Sequence, residues 1–388
     1  MEHVKNGEVG LFPELAAQET GARTTGILPS QQIRDLIANG RITATPAIQE
    51  EHIQPASLDL RLGEIAHRVQ ASFLPGTRTV ESRIQELRMT RVDLTKAAVF
   101  EKGCVYIVPL LEQLNLPKDT SAIANPKSTT GRLDIFTRLI TDRGVAFEHV
   151  PPGYSGKLYA EIASRTFTVA VRAGMRLNQI RFVRGNPRSG DTTISRLDEE
   201  QYLVYMDEER TKATIDRGLR VTINLEGSQP SEVVCYKARK HAPAIELDRI
   251  DHYSPEEFWE ARTQPTNKSL ILEPGDFYIL ASRERVRVPP EYAAEMVPFD
   301  PSAGEFRIHY AGFFDPGFGY GSSDIKGTRA VLEVRAHEVP FVVEHGQVVG
   351  RLTYMPLLSR PDKIYGTNIG SSYQYQGLTL SKQFRKAG

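Results

Sequence analysis

The chain says nearly the same thing twice, which restricts it to folds built from two copies of one unit. Lys157-Leu-Tyr-Ala-Glu161 followed by Gly174 answers Arg329-Ala-Val-Leu-Glu333 followed by Gly346, an offset of 172 in both cases (333 − 161 and 346 − 174). The offset holds upstream, where Glu101-Lys-Gly103-Cys-Val-Tyr106 pairs with Glu273-Pro-Gly275-Asp-Phe-Tyr278, and Leu116-Pro117 with Val288-Pro289. Matching Gly, Pro and apolar positions at a fixed spacing are the signature of duplicated structure. The copies differ where chemistry would sit. The first carries KSTTGR from Lys127 to Arg132, and the matching stretch of the second reads FDPSAG.

At 388 residues the chain has room for two domains that each bury a core. Hydrophobic residues make up 40% and charged residues 25%, the balance of a globular protein, and 48 Lys+Arg against 48 Asp+Glu leave no basic field for nucleic acid. The first residues lack an apolar segment behind a basic start, and no stretch reaches the roughly 20 apolar residues of a membrane span. The expectation is a cytoplasmic protein with no membrane partner. Cys104 and Cys235 are far apart in strand-like runs, and the reading is two reduced core thiols.

Residues 1–25 read as a polar, flexible arm. A short helix follows, with Ser30 as N-cap, Ile33, Leu36 and Ile37 on one face, and Asn39-Gly40 as its stop. Short strands dominate after that. Ser57-Leu-Asp-Leu-Arg-Leu-Gly63 alternates, Val105 to Leu111 is an apolar run after Gly103, and Leu158 to Val171 alternates again. Many short strands punctuated by Gly and Pro predict a mainly β chain of barrel or sandwich type with a few short helices. The divisions expected are a first barrel over 26–190, a linker over 191–215 and a second barrel with a C-terminal lid over 216–388. A second helix is announced by Ser254-Pro255-Glu256-Glu257, a capping box with Pro at the first helical position.

Four features could carry chemistry. Lys127-Ser128-Thr129-Thr-Gly-Arg132 offers two cations, three hydroxyls and a glycine, a set suited to polyphosphate, though taken alone such runs are more often ordinary surface loops. Glu161 and Glu333 sit mid-strand among apolar residues, where a buried carboxylate would have a raised pKa suited to proton transfer. Alternation also allows either to face solvent. Ala311-Gly-Phe-Phe314-Asp315-Pro-Gly317 is first of all a turn signal. The tail Tyr365-Gly-Thr-Asn-Ile-Gly-Ser-Ser-Tyr373-Gln-Tyr-Gln376-Gly has the composition of a flap that stacks on a ligand, or of a floppy end. No H-x-E with P-C-x-x-C is present, so the zinc deaminase scheme is absent, and no cysteine and histidine spacing suggests a metal centre.

The order of these motifs resembles the dCTP deaminase family of the dUTPase-like trimeric β-barrel superfamily, here in tandem form. Ile27-Leu-Pro-Ser-Gln-Gln-Ile33 with Ser57 to Gly63 is similar to the family's N-terminal helix and first motif. Lys127 to Arg132 resembles its phosphate-binding R-S-S-x-x-R-x-G, with Lys127 for the first Arg, Thr129 for the second Ser and Asp134 for the Gly. Phe314-Asp315-Pro-Gly317 and Ala330-Val-Leu-Glu333-Val resemble the nucleoside loop and the catalytic-glutamate strand, with Phe313 where the loop has Arg. Tyr365 to Gln376 resembles the lid, with Ser372 where Lys is common.

The resemblance implies two tandem dUTPase-like β-barrel or jelly-roll domains and a zinc-free deamination of dCTP to dUTP and ammonia. Glu333 or Glu161 would relay protons, and Asp315 could activate water. Lys127, Ser128, Thr129 and Arg132 would hold the triphosphate with its Mg2+, while Ala311, Phe314, Tyr365, Tyr373 and Gln376 would line the nucleoside and lid. Reciprocal loss between the copies predicts a shared site, the first barrel giving the phosphate loop and the second giving Asp315, Glu333 and the tail. A homotrimer of tandem chains is expected, with dCTP and dUTP as ligands and dTTP as a further candidate. Alternatives are a dUTP pyrophosphatase, a bifunctional enzyme carrying dCTP to dUMP, or a nucleotide-binding regulator without turnover.

Overall fold

The computed structural model describes residues 23–206, 209–227, 232–298, 306–309, 312–320, 325–336, 338–366 and 377–386. The chain is mainly β, in tandem dUTPase-like units. In the first, Val105–Asn115 and Ser155–Ser164 form the centre of one sheet, flanked by Ile65–Val69 and Ile135–Thr141. A second sheet has Arg176–Arg184 between Thr120–Pro126 and Gly26–Ile27. In the second unit Tyr278–Val286 and Thr328–Ala336 form the matching centre, and Val348–Pro356 lies between Leu219–Thr222 and Tyr292–Pro298.

The repeat is visible in the pairing register. Glu161 lies opposite Ile107, and Glu333 lies opposite Ile279, the same pair displaced along the chain. Tyr106 accepts the Glu101 N–H at its hydroxyl at 3.2 Å, and Tyr278 accepts the Glu273 N–H at 3.0 Å. Each tyrosine buries its ring and satisfies a backbone donor at the turn that opens the central strand.

Apolar strand faces fill a core in each unit, and the two cores meet. Phe258, Trp259, Phe277 and Ile279, all from the second half of the chain, pack into the cluster of the first unit. Ile27, Val183, Ala293, Met355 and Leu357 make a smaller cluster that joins the halves. The barrels therefore share desolvated surface and hold a fixed relation to each other.

Several expectations are corrected here. The stretch 191–215 is no simple linker: it carries the helix Asp191–Gln201 and the strand Val204–Met206, with Ile194 and Leu197 buried in the second core. Two apolar side chains one turn apart suffice to seat that helix, though its surroundings are too polar to show a stripe. Ser30 is the first residue of the helix Ser30–Ala38, whose N-cap is Pro29; its hydroxyl instead donates to Asp362. The helix at Pro255–Phe258 lacks the reciprocal capping box, because the Ser254 hydroxyl donates to the Glu256 carboxylate. Leu58–Arg61 is buried on both faces. Cys235 is a buried free thiol, but Cys104 is only half-buried. Among the described residues no helix is long and apolar enough to cross a membrane.

Candidate active site

Strand Thr120–Pro126 delivers the chain to the loop at Lys127, where a short helix, Ser128–Gly131, begins. Lys127 is pinned at its backbone: its N–H donates to Leu177 at 2.8 Å, and its carbonyl accepts from Thr130 at 2.8 Å. The Thr130 hydroxyl donates to the Leu177 carbonyl at 3.0 Å. These bonds leave Ser128 exposed and Thr129 half-buried at the loop's outer side. The Lys127 ammonium pairs with the buried Asp59 carboxylate. Arg132 is buried, and one of its guanidinium nitrogens donates to the Thr379 carbonyl at 3.0 Å. The segment around Thr379 therefore lies on the loop from Lys127 to Arg132.

Asp134 follows that loop in a left-handed conformation, with φ of 54°. This is the position where a glycine is expected from the resemblance, and the backbone explains why. Aspartate here accepts the strain and gains an ion pair. Its carboxylate receives both ends of the Arg335 guanidinium, with Nε at 3.3 Å, and accepts from the Thr166 hydroxyl at 2.6 Å. Arg335 belongs to the strand Thr328–Ala336 of the second unit, two residues beyond Glu333. Strand residues two apart share a face. Glu333 thus looks the same way as Arg335, toward the first unit and Arg132.

The two glutamates have become different groups. Glu161 is buried and ion-paired to Arg138, with Nη2 at 2.5 Å and Nε at 3.1 Å from its Oε1. Arg138 is held in turn by the Phe147 ring, 3.4 Å from its centroid. Glu333 is also buried, but among the described residues no side chain donates to its carboxylate. Burial pushes its pKa up to about 8, opposed by the positive charge of Arg132. That value lies where a carboxyl group can both take and return a proton near neutrality.

Asp315 turns the chain with Pro316 and Gly317, as its sequence announces, and also receives a guanidinium. Arg181, fully buried in the strand Arg176–Arg184 of the first unit, donates to Asp315 Oδ1 at 3.1 Å, to the Phe314 carbonyl at 2.9 Å and to the Ala294 carbonyl at 2.8 Å. Its guanidinium lies 4.0 Å above the Phe313 ring. Burial raises the Asp315 pKa while Arg181 opposes the rise. Gly317, with φ of 92°, admits no side chain, since a Cβ would come within 2.1 Å of Ile364 Cγ2. The Tyr365 N–H donates to the Pro316 carbonyl at 2.9 Å, and Phe318 packs on Phe314 and Tyr365 at 4.9 and 5.6 Å.

The structure brings Lys127, Arg132, Asp315, Glu333, Phe314 and Tyr365 to the junction of the two halves within one chain, and Glu161 lies apart with Arg138. Ala311, Tyr373 and Gln376 lie outside the described residues. Sequence reading missed Arg181, Arg335 and Asp59. The available signal was a charged residue in an otherwise inward, apolar strand: Arg181 between Ile180 and Phe182, and Asp59 between Leu58 and Leu60. Among the described residues, no group of three or more His, Cys, Asp or Glu gathers to hold a metal ion.

Comparison with known proteins matches each half of the chain to a family model. Residues 24–186 match the family model of the 2'-deoxycytidine 5'-triphosphate deaminase (DCD) N-terminal domain, and residues 190–384 match that of its C-terminal domain. The dCTP deaminase of Halorubrum lacusprofundi is 30% identical over 160 residues, covering 40% of this chain and 76% of that protein. A "dCTP deaminase, dUMP-forming" of Methanosphaera stadtmanae is 28% identical over 159 residues, covering 40% of this chain and 78% of its own. The crystal structure of 2'-deoxycytidine 5'-triphosphate deaminase from Agrobacterium tumefaciens superposes with a TM-score of 0.83 at 49% identity, over 86% of this chain and 100% of that one. By its two domain matches, its relatives and its fold, this chain belongs to the dCTP deaminase family.

Proposed function

We infer that the chain catalyses the hydrolytic deamination of dCTP, with water adding to C4 of the cytosine ring and the exocyclic amine leaving as ammonia to give dUTP. Glu333 is the proton relay: as a carboxylate it takes a proton from the attacking water and returns it to ring N3, then takes the remaining hydroxyl proton and passes it to the departing amine. General acid-base help of this kind contributes roughly two to four powers of ten in rate. The observation that carries the reading is the buried Glu333 carboxyl with its pKa near 8, on a strand tied by Arg335 to the loop of Lys127 and Arg132.

Lys127, Ser128, Thr129 and Arg132 hold the triphosphate, and Mg2+ arrives with it as part of the substrate. The Asp315 loop, with Phe314 and Tyr365, shapes the nucleoside side. Glu161 has a structural role, because its carboxylate is engaged by the Arg138 guanidinium within the first unit. The homotrimer expected from the resemblance is not needed to bring the two halves of the site together, since both are supplied by one chain.

A dUMP-forming activity is the second reading, favoured by the name of the Methanosphaera relative and by Asp315, a carboxylate held by Arg181 within electrostatic reach of Asp59 and Lys127. Incubation with dCTP and magnesium, following ammonia and phosphate-containing products together, separates the two. Ammonia with dUTP supports simple deamination, ammonia with dUMP and pyrophosphate the bifunctional reading, and no ammonia removes both.

A further inference from the structure

Beside the phosphate loop lies a cavity of about 430 Å³, bounded by Lys127, Thr129, the turn from Arg172 to Leu177, and Lys382. Four cations and one carboxylate, Asp248, line it. Three of the cations are spoken for: Arg172 pairs with Asp248 at 2.5 Å, Lys127 pairs with Asp59, and Arg176 pairs with Glu51 at 3.2 Å. Among the described residues no carboxylate lies within ion-pair distance of Lys382. Partial burial of its ammonium lowers its pKa, and the nearby charges of Lys127 and Arg176 lower it further. Gathering like charges in a half-enclosed space is unfavourable unless an anion completes the set.

The backbone at Lys382 is held tightly, as it need not be for an ordinary basic tail. The Ser381 hydroxyl donates to the Thr129 carbonyl at 2.9 Å, and the Gln383 amide donates to the Leu247 carbonyl at 2.7 Å. The Lys382 carbonyl accepts the Asp251 N–H at 2.9 Å. Phe384 sits edge-on to Phe258 at 5.3 Å and to Trp259 at 5.9 Å, inside the shared core. A cation on so fixed a stem loses little freedom when it engages a ligand.

We propose that Lys382 is a polyphosphate-binding residue: the anchored C-terminal segment presents its ammonium to the substrate's phosphates in the cavity that Lys127 also lines, and so favours a triphosphate over a monophosphate. For the identity of the substrate, this rests on the deaminase reading above. The phosphate chemistry does not depend on it.

The test uses the full chain and two probes, inorganic tripolyphosphate in calorimetry and dCTP in steady-state kinetics. Lys382→Met is expected to weaken tripolyphosphate binding about tenfold or more, the size of one charge-assisted contact, with a shallower dependence on salt. It should raise KM for dCTP by a similar factor, leave kcat within about twofold and leave Tm unchanged. Lys382→Arg should keep most of the binding, because the charge is retained. Unchanged tripolyphosphate affinity in Lys382→Met overturns the proposal. Equal losses in Lys382→Met and Lys382→Arg accompanied by a lower Tm overturn it too, since they mark a purely structural residue. If wild-type protein binds tripolyphosphate through Lys382 but releases no ammonia from dCTP, the deaminase reading fails and the phosphate role stands.

Discussion

Arg181 and Asp315 form an ion pair across the boundary between the two halves, the guanidinium fully buried and the carboxylate side chain 12% exposed. The pair matters for the Asp315 loop because Phe313 stands where the resemblance leads one to expect an arginine. The first unit supplies a guanidinium from behind instead, stacked on that same Phe313 ring. Removing one partner of a buried pair leaves a charge without compensation, at a cost of about 3–5 kcal/mol. Arg181→Met should therefore lower Tm sharply in thermal unfolding. Adding Asp315→Asn should recover a large part of the loss, and a double-mutant cycle showing no coupling would contradict the arrangement.

Asp134 and Arg335 tie the loop of Lys127 and Arg132 to the strand that carries Glu333. Asp134→Gly relieves a left-handed aspartate but deletes the ion pair, and the second effect dominates, by about 3–5 kcal/mol against about 1 kcal/mol. The variant should unfold at lower temperature than wild type, despite its better backbone. Arg335→Met should in addition depress kcat more than it raises KM for dCTP, since it loosens the strand that carries Glu333 and leaves the phosphate ligands in place. A change confined to KM would count against this.

The pKa of Glu333 ties rate and stability to pH in opposite senses. Turnover begins with the carboxylate, so kcat/KM, which reports the free enzyme, should rise with pH through a value of about 8. Stability runs the other way. A carboxyl whose pKa is raised from 4.5 to about 8 on folding contributes fully below its unfolded value and loses that contribution as pH climbs through the folded one. Glu333→Gln should thus gain in Tm over wild type at pH 9 and not at pH 4. An equal difference at both pH values would mean the carboxyl titrates normally.

Much of this was legible in the chain. The repeat, the strand-rich architecture and the Asp-Pro-Gly turn are local patterns, and local patterns survive in sequence. The roles of Glu161 and Glu333 were not separable, because both sit in similar apolar strands. What divides them is the cross-strand neighbour: Arg138 is paired with Glu161, and a sequence does not print strand register. Arg181 and Arg335 were missed for the same reason, since their partners lie 134 and 201 positions away. The helix Asp191–Gln201 escaped because only Ile194 and Leu197 commit it to the core.

The central claim is that one chain builds one site from unlike halves, with Glu333 as its proton relay and Glu161 as scaffold. Ammonia release from dCTP by Glu333→Gln and by Glu161→Gln, measured side by side with wild type, tests it most directly. The account predicts that Glu333→Gln loses at least about a hundredfold in kcat, while Glu161→Gln keeps turnover at temperatures where it stays folded. Intact turnover in Glu333→Gln with its loss in folded Glu161→Gln would contradict the account and move the chemistry to the first unit.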